Sequence, residues 1–249
     1  KQNGCGPLNP VCCDDPNSAW CDRDSGENNN RSRDWGGDPA GEAAKRQMMR
    51  NFFAAMMVSH GTPLLLGGDE WMRTQHGNNN AYSTGADNAF NWFQWGTWQQ
   101  ADFRVRMHDF VAGVTRLRTE HAYAFAPETY GGGAPFTWKS EANTDAVNWS
   151  SRRLMQHYWD SSVGPQLLVI INMEPFAVDF TLPEGVTWGR LVDTQRWWDF
   201  EDPDGDDFFD TTGADLRQSH NVSLDAPGAI PGATFTAMER SIVVLVELP

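Results

Sequence analysis

Apolar and polar positions change their period three times along the chain, and each change marks an element. From Pro39 the apolar residues Ala43, Ala44, Met48, Phe52, Ala55 and Met56 recur at helical spacing, with Lys45, Arg46 and Arg50 between them. Asp38 and Pro39 supply an N-cap and a first-turn proline, so a helix is predicted to run to about Ser59. A short apolar run, Pro63 to Leu66, follows across His60-Gly61-Thr62 and reads as a buried strand. Helix, short loop and buried strand make half of a βα repeat. Residues 71–100 are polar and aromatic and read as one long loop, a length usually tied to function. A second helix is predicted from about Asp102 to Thr119. Phe103, Met107, Phe110, Val111, Val114 and Leu117 line one face, with Arg104, Arg106, Arg116 and Arg118 mostly on the other.

After Tyr123 the helical period disappears. Short strands are predicted at Phe136–Lys139, Ala146–Trp149, Leu167–Asn172, Ala177–Leu182, Arg190–Asp193 and Ser241–Leu248, separated by Gly, Pro and Asp clusters. The unbroken runs Leu167–Ile171 and Ile242–Val246 suit central strands. Phe176, Val178, Phe180 and Leu182 alternate with other residues, which leaves one face wet. The expectation is an antiparallel β-sandwich. The acidic stretch from Glu201 to Asp215 reads as a surface loop.

Composition narrows the partners. A net charge of −14 leaves no basic face to balance phosphates, so nucleic acid is excluded, and anionic membrane surfaces are disfavoured. No run approaches the ~20 apolar residues of a membrane helix. A neutral, hydroxyl-rich substrate fits the charge. The 12 Trp suit sugar stacking, although core packing is the default for any one of them.

All four cysteines, Cys5, Cys12, Cys13 and Cys21, lie in a turn-rich opening rich in Asn, Asp, Gly and Pro. Their spacing lacks the paired C-x-x-C of zinc sites, and a Cys12–Cys13 bridge would be strained. Two crossing or nested disulfides are expected, and with them an oxidising compartment, secreted or periplasmic. Free thiols in a cytosolic loop are the alternative. The chain opens in loop-like sequence without an initiating Met, and this start reads as the middle of a larger fold. The six His show no metal spacing, and His121 and His157 read as structural or solvent-facing.

The candidate chemistry lies between Gly61 and Asn80. Two glycines end the apolar run, two adjacent carboxylates follow, Asp69 and Glu70, and then three consecutive amides, Asn78, Asn79 and Asn80. An amide both donates and accepts, which matches a vicinal diol. Arg73 can fork onto hydroxyls or pair with a carboxylate. Tyr82 and Trp92 offer stacking faces, and Asp87 can accept from a hydroxyl or cap a turn. Each of these has an ordinary structural role as its competitor. Adjacent strand-end residues point in opposite directions, so Asp69 and Glu70 cannot face each other across one reacting bond.

The order of these segments resembles the isoamylase and glycogen-debranching branch of the α-amylase superfamily. The resemblance is carried by GTPLLLGGDE at 61–70, NNNAY at 78–82 and the D-N-x-x-x-W segment from Asp87 to Trp92, preceded by SGENNNRSRDWGG at 25–37. It implies an α/β plus all-β chain: the last two βα units of a TIM (β/α)8 barrel over residues 1–122, then a C-terminal β-sandwich over 123–249. The run 63–66 would be the eighth barrel strand. The resemblance implies α-1,6-glucosidic branch cleavage in starch or glycogen with retention, by three carboxylates that would lie upstream of Lys1, so the chain alone would be inactive. Asn78, Asn79, Asn80, Arg73, Asp87, Tyr82, Trp92, Asp69 and Glu70 become substrate-cleft candidates. Asn28, Asn29, Asn30 and Arg31 would sit at the branch-accepting rim. The implied partners are the missing N-terminal part of the same enzyme, covalent or as a separate chain, and a branched α-glucan. No cofactor is required by these residues, and any calcium is expected in the missing part. A pullulanase, an α-1,4-acting amylase or a glucan-binding fragment without catalysis are the alternatives.

Overall fold

The computed structural model describes residues 35, 38–74, 92–96, 99, 101–129, 132–195 and 221–249. It divides into two compact units. One takes residues up to Asp38 and Leu65–Val105, and the other takes Pro39–Leu64 and Arg106–Pro249. Each is described by itself.

The larger unit holds helix α1, Pro39–Val58, most of helix α2, Asp102–Glu120, the single turn α3, Ala122–Phe125, and eight strands. The strands are β1 Phe136–Lys139, β2 Arg153–Tyr158, β3 Leu167–Asn172, β4 Val178–Thr181, β5 Trp188–Asp193, β6 Gly228–Ala229, β7 Thr234–Ala237 and β8 Ser241–Glu247. Six form one antiparallel sheet in the order β1-β2-β3-β8-β5-β6, and β4 pairs with β7 in a second. Met155, Leu168, Ile170, Val243 and Leu245 from one face of the large sheet meet Val178, Phe180 and Ala237 of the small one in a single core, closed by Leu182 and Trp188. β3 and β8 sit centrally because both are apolar on both faces, which only a covered strand tolerates. The opposite face carries Tyr158, against which Phe125 packs edge-on at 5.5 Å.

Helix α2 buries the predicted stripe of Met107, Phe110, Val111, Val114 and Leu117, while Phe103 stays partly exposed. Helix α1 has the predicted span but not the predicted face. Ala43, Gln47, Arg50, Asn51, Ala54, Met57 and Val58 are buried, while Phe52 is 68% exposed. The buried side meets the ends of strands, where free backbone carbonyls need donors. Gln47 Nε2 donates to the carbonyls of Glu239 and Arg240, both at 2.9 Å, and Asn51 Nδ2 donates to Arg240 at 2.7 Å. Arg50 Nε and Nη2 donate to the carbonyls of Thr194 at 3.3 Å and Gln195 at 3.2 Å. Thr194 Oγ1 donates to Asn51 Oδ1 and accepts the Ile242 N–H at 2.8 Å. Polar residues are therefore the ones this face requires.

Two strand expectations need correction, and one central-sheet strand was not anticipated. Ala146–Trp149 is not a strand: Asn148 turns the chain instead, its carbonyl accepting the Ser151 N–H at 2.9 Å and its Oδ1 the Ser150 N–H at 3.0 Å. The second strand is Arg153–Tyr158, whose Arg, Gln and His hid its character. Pro63–Leu66 is neither buried nor paired: Leu64 is 91% exposed, Leu65 and Leu66 are also exposed, and no strand joins them among the described residues. A strand needs a neighbour to satisfy its backbone, and the described residues present none there. Among the described residues no helix is long and apolar enough to cross a membrane.

Candidate functional site

The smaller unit is organised around the turn that follows the three leucines. Gly68 adopts φ 100°, a left-handed conformation that glycine enters without the Cβ penalty. That reversal starts one 3-10 turn, Asp69–Trp71, and Met72, at φ 63°, ends it. Four backbone bonds close the knot, among them Asp69 N–H to the Leu66 carbonyl at 3.0 Å and Arg73 N–H to the Gly68 carbonyl at 2.9 Å. A methyl group on Gly68 would lie 2.8 Å from Arg73 Cδ, so the position admits no side chain without movement of Arg73.

The two carboxylates are used differently. Arg73 Nε donates to Asp69 Oδ1 at 2.9 Å, and Glu70 Oε2 accepts the Gly68 N–H at 2.7 Å. Each is thereby fixed by one oxygen. Among the described residues the other oxygen of each has no protein donor, and both side chains are partly exposed. They form a fixed pair of acceptors, each held by its own partner. Arg73 takes the ion-pair role.

Aromatic side chains anchor the turn. Trp71 is buried, Phe93 meets its ring edge-on at 5.8 Å, and the Arg104 guanidinium lies 5.3 Å from the indole centroid. Trp95 leans on Phe93 at 4.4 Å and is itself 79% exposed. Trp92, a predicted stacking residue, is 57% exposed. The sequence reading did not single out Trp71, Phe93, Trp95 or Arg104. Their signal was the repeated aromatic in N-W-F-Q-W and an arginine in the first turn of α2.

Of the predicted site residues, the structure thus brings Asp69, Glu70 and Arg73 together on one turn and leaves Trp92 open to solvent. Asn78, Asn79, Asn80, Tyr82 and Asp87 lie outside the described residues, as do Asn28, Asn29, Asn30, Arg31 and the cysteines Cys5, Cys12, Cys13 and Cys21. Among the described residues no group of three or more His, Cys, Asp or Glu gathers as metal ligands would.

His121 and His157 are packed within the larger unit. Burial lowers the pKa of each below the ordinary imidazole value. His157 Nε2 lies 2.9 Å from Gln166 Oε1, and His121 Nδ1 lies 3.2 Å from the Tyr123 hydroxyl, which itself donates to the Pro165 carbonyl. Both are structural.

No family model matches the chain. Individual proteins do. It is 34% identical over 190 residues to the isoamylase of Pseudomonas amyloderamosa, covering 71% of this chain and 24% of that protein. It is 30% identical over 179 residues to the glycogen debranching enzyme of Dickeya chrysanthemi, covering 64% and 25%. Among solved structures, the pullulanase of Paenibacillus barengoltzii aligns with TM-score 0.53 at 20% identity, over 84% of this chain and 26% of that one. The pullulanase of Anoxybacillus sp. LM18-11 aligns with TM-score 0.52 at 15% identity, over 82% and 24%. The chain spans about a quarter of the length of these relatives. The sequence matches, and a fold shared with pullulanases, place the chain in the isoamylase and glycogen-debranching branch of the α-amylase superfamily, glycoside hydrolase family 13.

Proposed function

We propose that this chain is the C-terminal part of an isoamylase-type debranching enzyme, and that the whole protein hydrolyses α-1,6 branch linkages of glycogen or amylopectin with retention. One observation carries the reading: an apolar run, Leu64 to Leu66, stands exposed and unpaired immediately before a rigid turn bearing two part-occupied carboxylates. An exposed run of leucines calls for a neighbour. As the eighth strand of a barrel it would find one on each side, and the turn after it would lie at the carboxyl-end rim where barrel sites sit. Retaining glycosidases need a nucleophile and an acid/base about 5 Å apart across the bond. Asp69 and Glu70, each tied to a different local partner, are not that pair. The catalytic carboxylates belong to the portion upstream of Lys1.

In this reading Asp69 and Glu70 accept sugar hydroxyls through their remaining oxygens, Trp92 stacks on a glucose ring, and Asn78, Asn79, Asn80, Tyr82 and Asp87 complete the rim. The upstream portion is the chain's partner, and the four cysteines within the first 21 residues of the sequence argue for a secreted or periplasmic enzyme. The relatives at 30% identity or more are isoamylases and glycogen debranching enzymes, which favours branch points of glycogen and amylopectin over pullulan. The full-length protein, incubated with amylopectin and with pullulan, is expected to release linear chains from the first much faster than maltotriose from the second. The chain alone is expected to do neither. Equal or preferred action on pullulan would make it a pullulanase, and no release from either would refute the reading.

A further inference from the structure

The aromatic residues of the β-sheet unit do not all serve its core. On the helix-side face of edge strand β1 they form a row that runs outward to solvent. Tyr158 meets Phe136 at 5.2 Å, Phe136 meets Trp138 edge-on at 6.0 Å, and Trp138 meets Trp149 at 5.9 Å with the rings inclined by 74°. Tyr158 is buried, Trp138 is half-buried, and Trp149, at the end of the row, is 67% exposed.

Trp149 does not hold its own turn together. Asn148 does, by accepting the N–H groups of Ser150 and Ser151, and Ser151 Oγ adds a bond to the Asn148 carbonyl at 2.8 Å. The indole is therefore displayed on a backbone already fixed by other groups, so little ordering entropy is left to lose when something packs on it. Its N–H has no protein acceptor among the described residues, and the Asn148 amide NH2 likewise has none. Two indoles at a steep angle make an apolar corner with amide and indole donors on its rim. That combination suits a sugar ring, which has an apolar C–H face and a hydroxyl edge. A net charge of −14 favours a neutral ligand over a phosphorylated or acidic one.

We infer that Trp149 and Trp138 form an auxiliary α-glucan-binding surface on the β-sheet unit. This rests on the proposal that the protein acts on glucan. Such a surface would hold an outer chain of a large polymer while a branch point is processed elsewhere, and it would be irrelevant to a short substrate.

The test uses the full-length protein, its Trp149→Ala and Trp149→Phe variants, and electrophoresis through gels containing glycogen. The parent is expected to be retarded by glycogen. Trp149→Ala should weaken that retardation about tenfold, the equivalent of ~1.4 kcal/mol, and Trp149→Phe, which keeps a ring, should lie between. Activity on a short branched oligosaccharide should be equal in all three, which also reports that the variants fold. Equal retardation of parent and Trp149→Ala overturns the inference, as does a parent that glycogen does not retard. If retardation depends on Trp149 but no protein debranches, the surface stands and the enzymatic reading fails.

Discussion

Arg118 offers the most quantitative check of how the larger unit is held. It lies on α2, is buried to 8% exposure, and has no acidic partner among the described residues. Its charge is met by carbonyl oxygens at the end of α1. Nη1 donates to Met57 at 2.7 Å and to Ser59 at 2.6 Å, and Nη2 donates to the Gly61 carbonyl at 2.5 Å. The last carbonyls of a helix lack intrahelical partners and carry its negative dipole end, so a buried guanidinium suits them. Burial lowers the Arg118 pKa below the ordinary guanidinium value. Hydrogen bonds from a charged donor contribute about 1.5–3 kcal/mol each, and the three share one side chain and partial access to water. Arg118→Ala should therefore cost about 3 kcal/mol, or roughly 6–12 °C in Tm for a unit of this size. Arg118→Lys keeps the charge but not the fork, and should recover less than half of that. Thermal unfolding followed by near-ultraviolet circular dichroism measures both. A Tm within 2 °C of the parent for Arg118→Ala, or full recovery by Lys, would refute the clamp.

Two further outcomes follow from named groups. Burial raises the Asp193 carboxyl from 3.8 to about 6, only partly offset by the Gln195 N–H and the charges of Arg190 and Arg50. Its folded pKa lies above its unfolded one, so its stability contribution is fully present below about pH 4 and is lost as pH rises through about 6. Asp193→Asn should flatten the stability profile over that window, and an unchanged profile from urea titrations at pH 4 to 7 would contradict the assignment. Gly68→Ala places a methyl group against Arg73 in a backbone conformation that alanine resists, and should cost about 1–2 kcal/mol locally. Faster amide exchange confined to residues 66–73 is expected, and exchange identical to the parent would count against the strained turn.

Both long helices and the central strands β3 and β8 were legible because their periods are strong. The side that α1 buries was not. Periodicity assigns the core to Met48, Phe52 and Met56, whereas the neighbour actually present is a row of carbonyls that recruits Gln47, Arg50 and Asn51. The same failure hid β2, where Gln156 and His157 are buried among partners that the sequence does not display. At the candidate site, the glycine pair and the two carboxylates could be read, because the turn needs Gly68. A carboxylate partner for Arg73 could be read as well, and Asp69, four residues away, is that partner. The anchoring of the turn by Trp71 and Phe93 depends on a contact between positions far apart in sequence and could not.

Leu64, Leu65 and Leu66 are exposed among the described residues, and the proposed account pairs them with barrel strands outside this chain. Hydrogen exchange at Leu64, Leu65 and Leu66 tests that most directly, read by mass spectrometry in the full-length protein and in the 249-residue chain. Barrel pairing predicts that these amides stay protected for hours in the full-length protein and exchange within seconds in the isolated chain. Equally fast exchange in both would mean that the run is a loop in the whole protein as well, and the barrel account would fall.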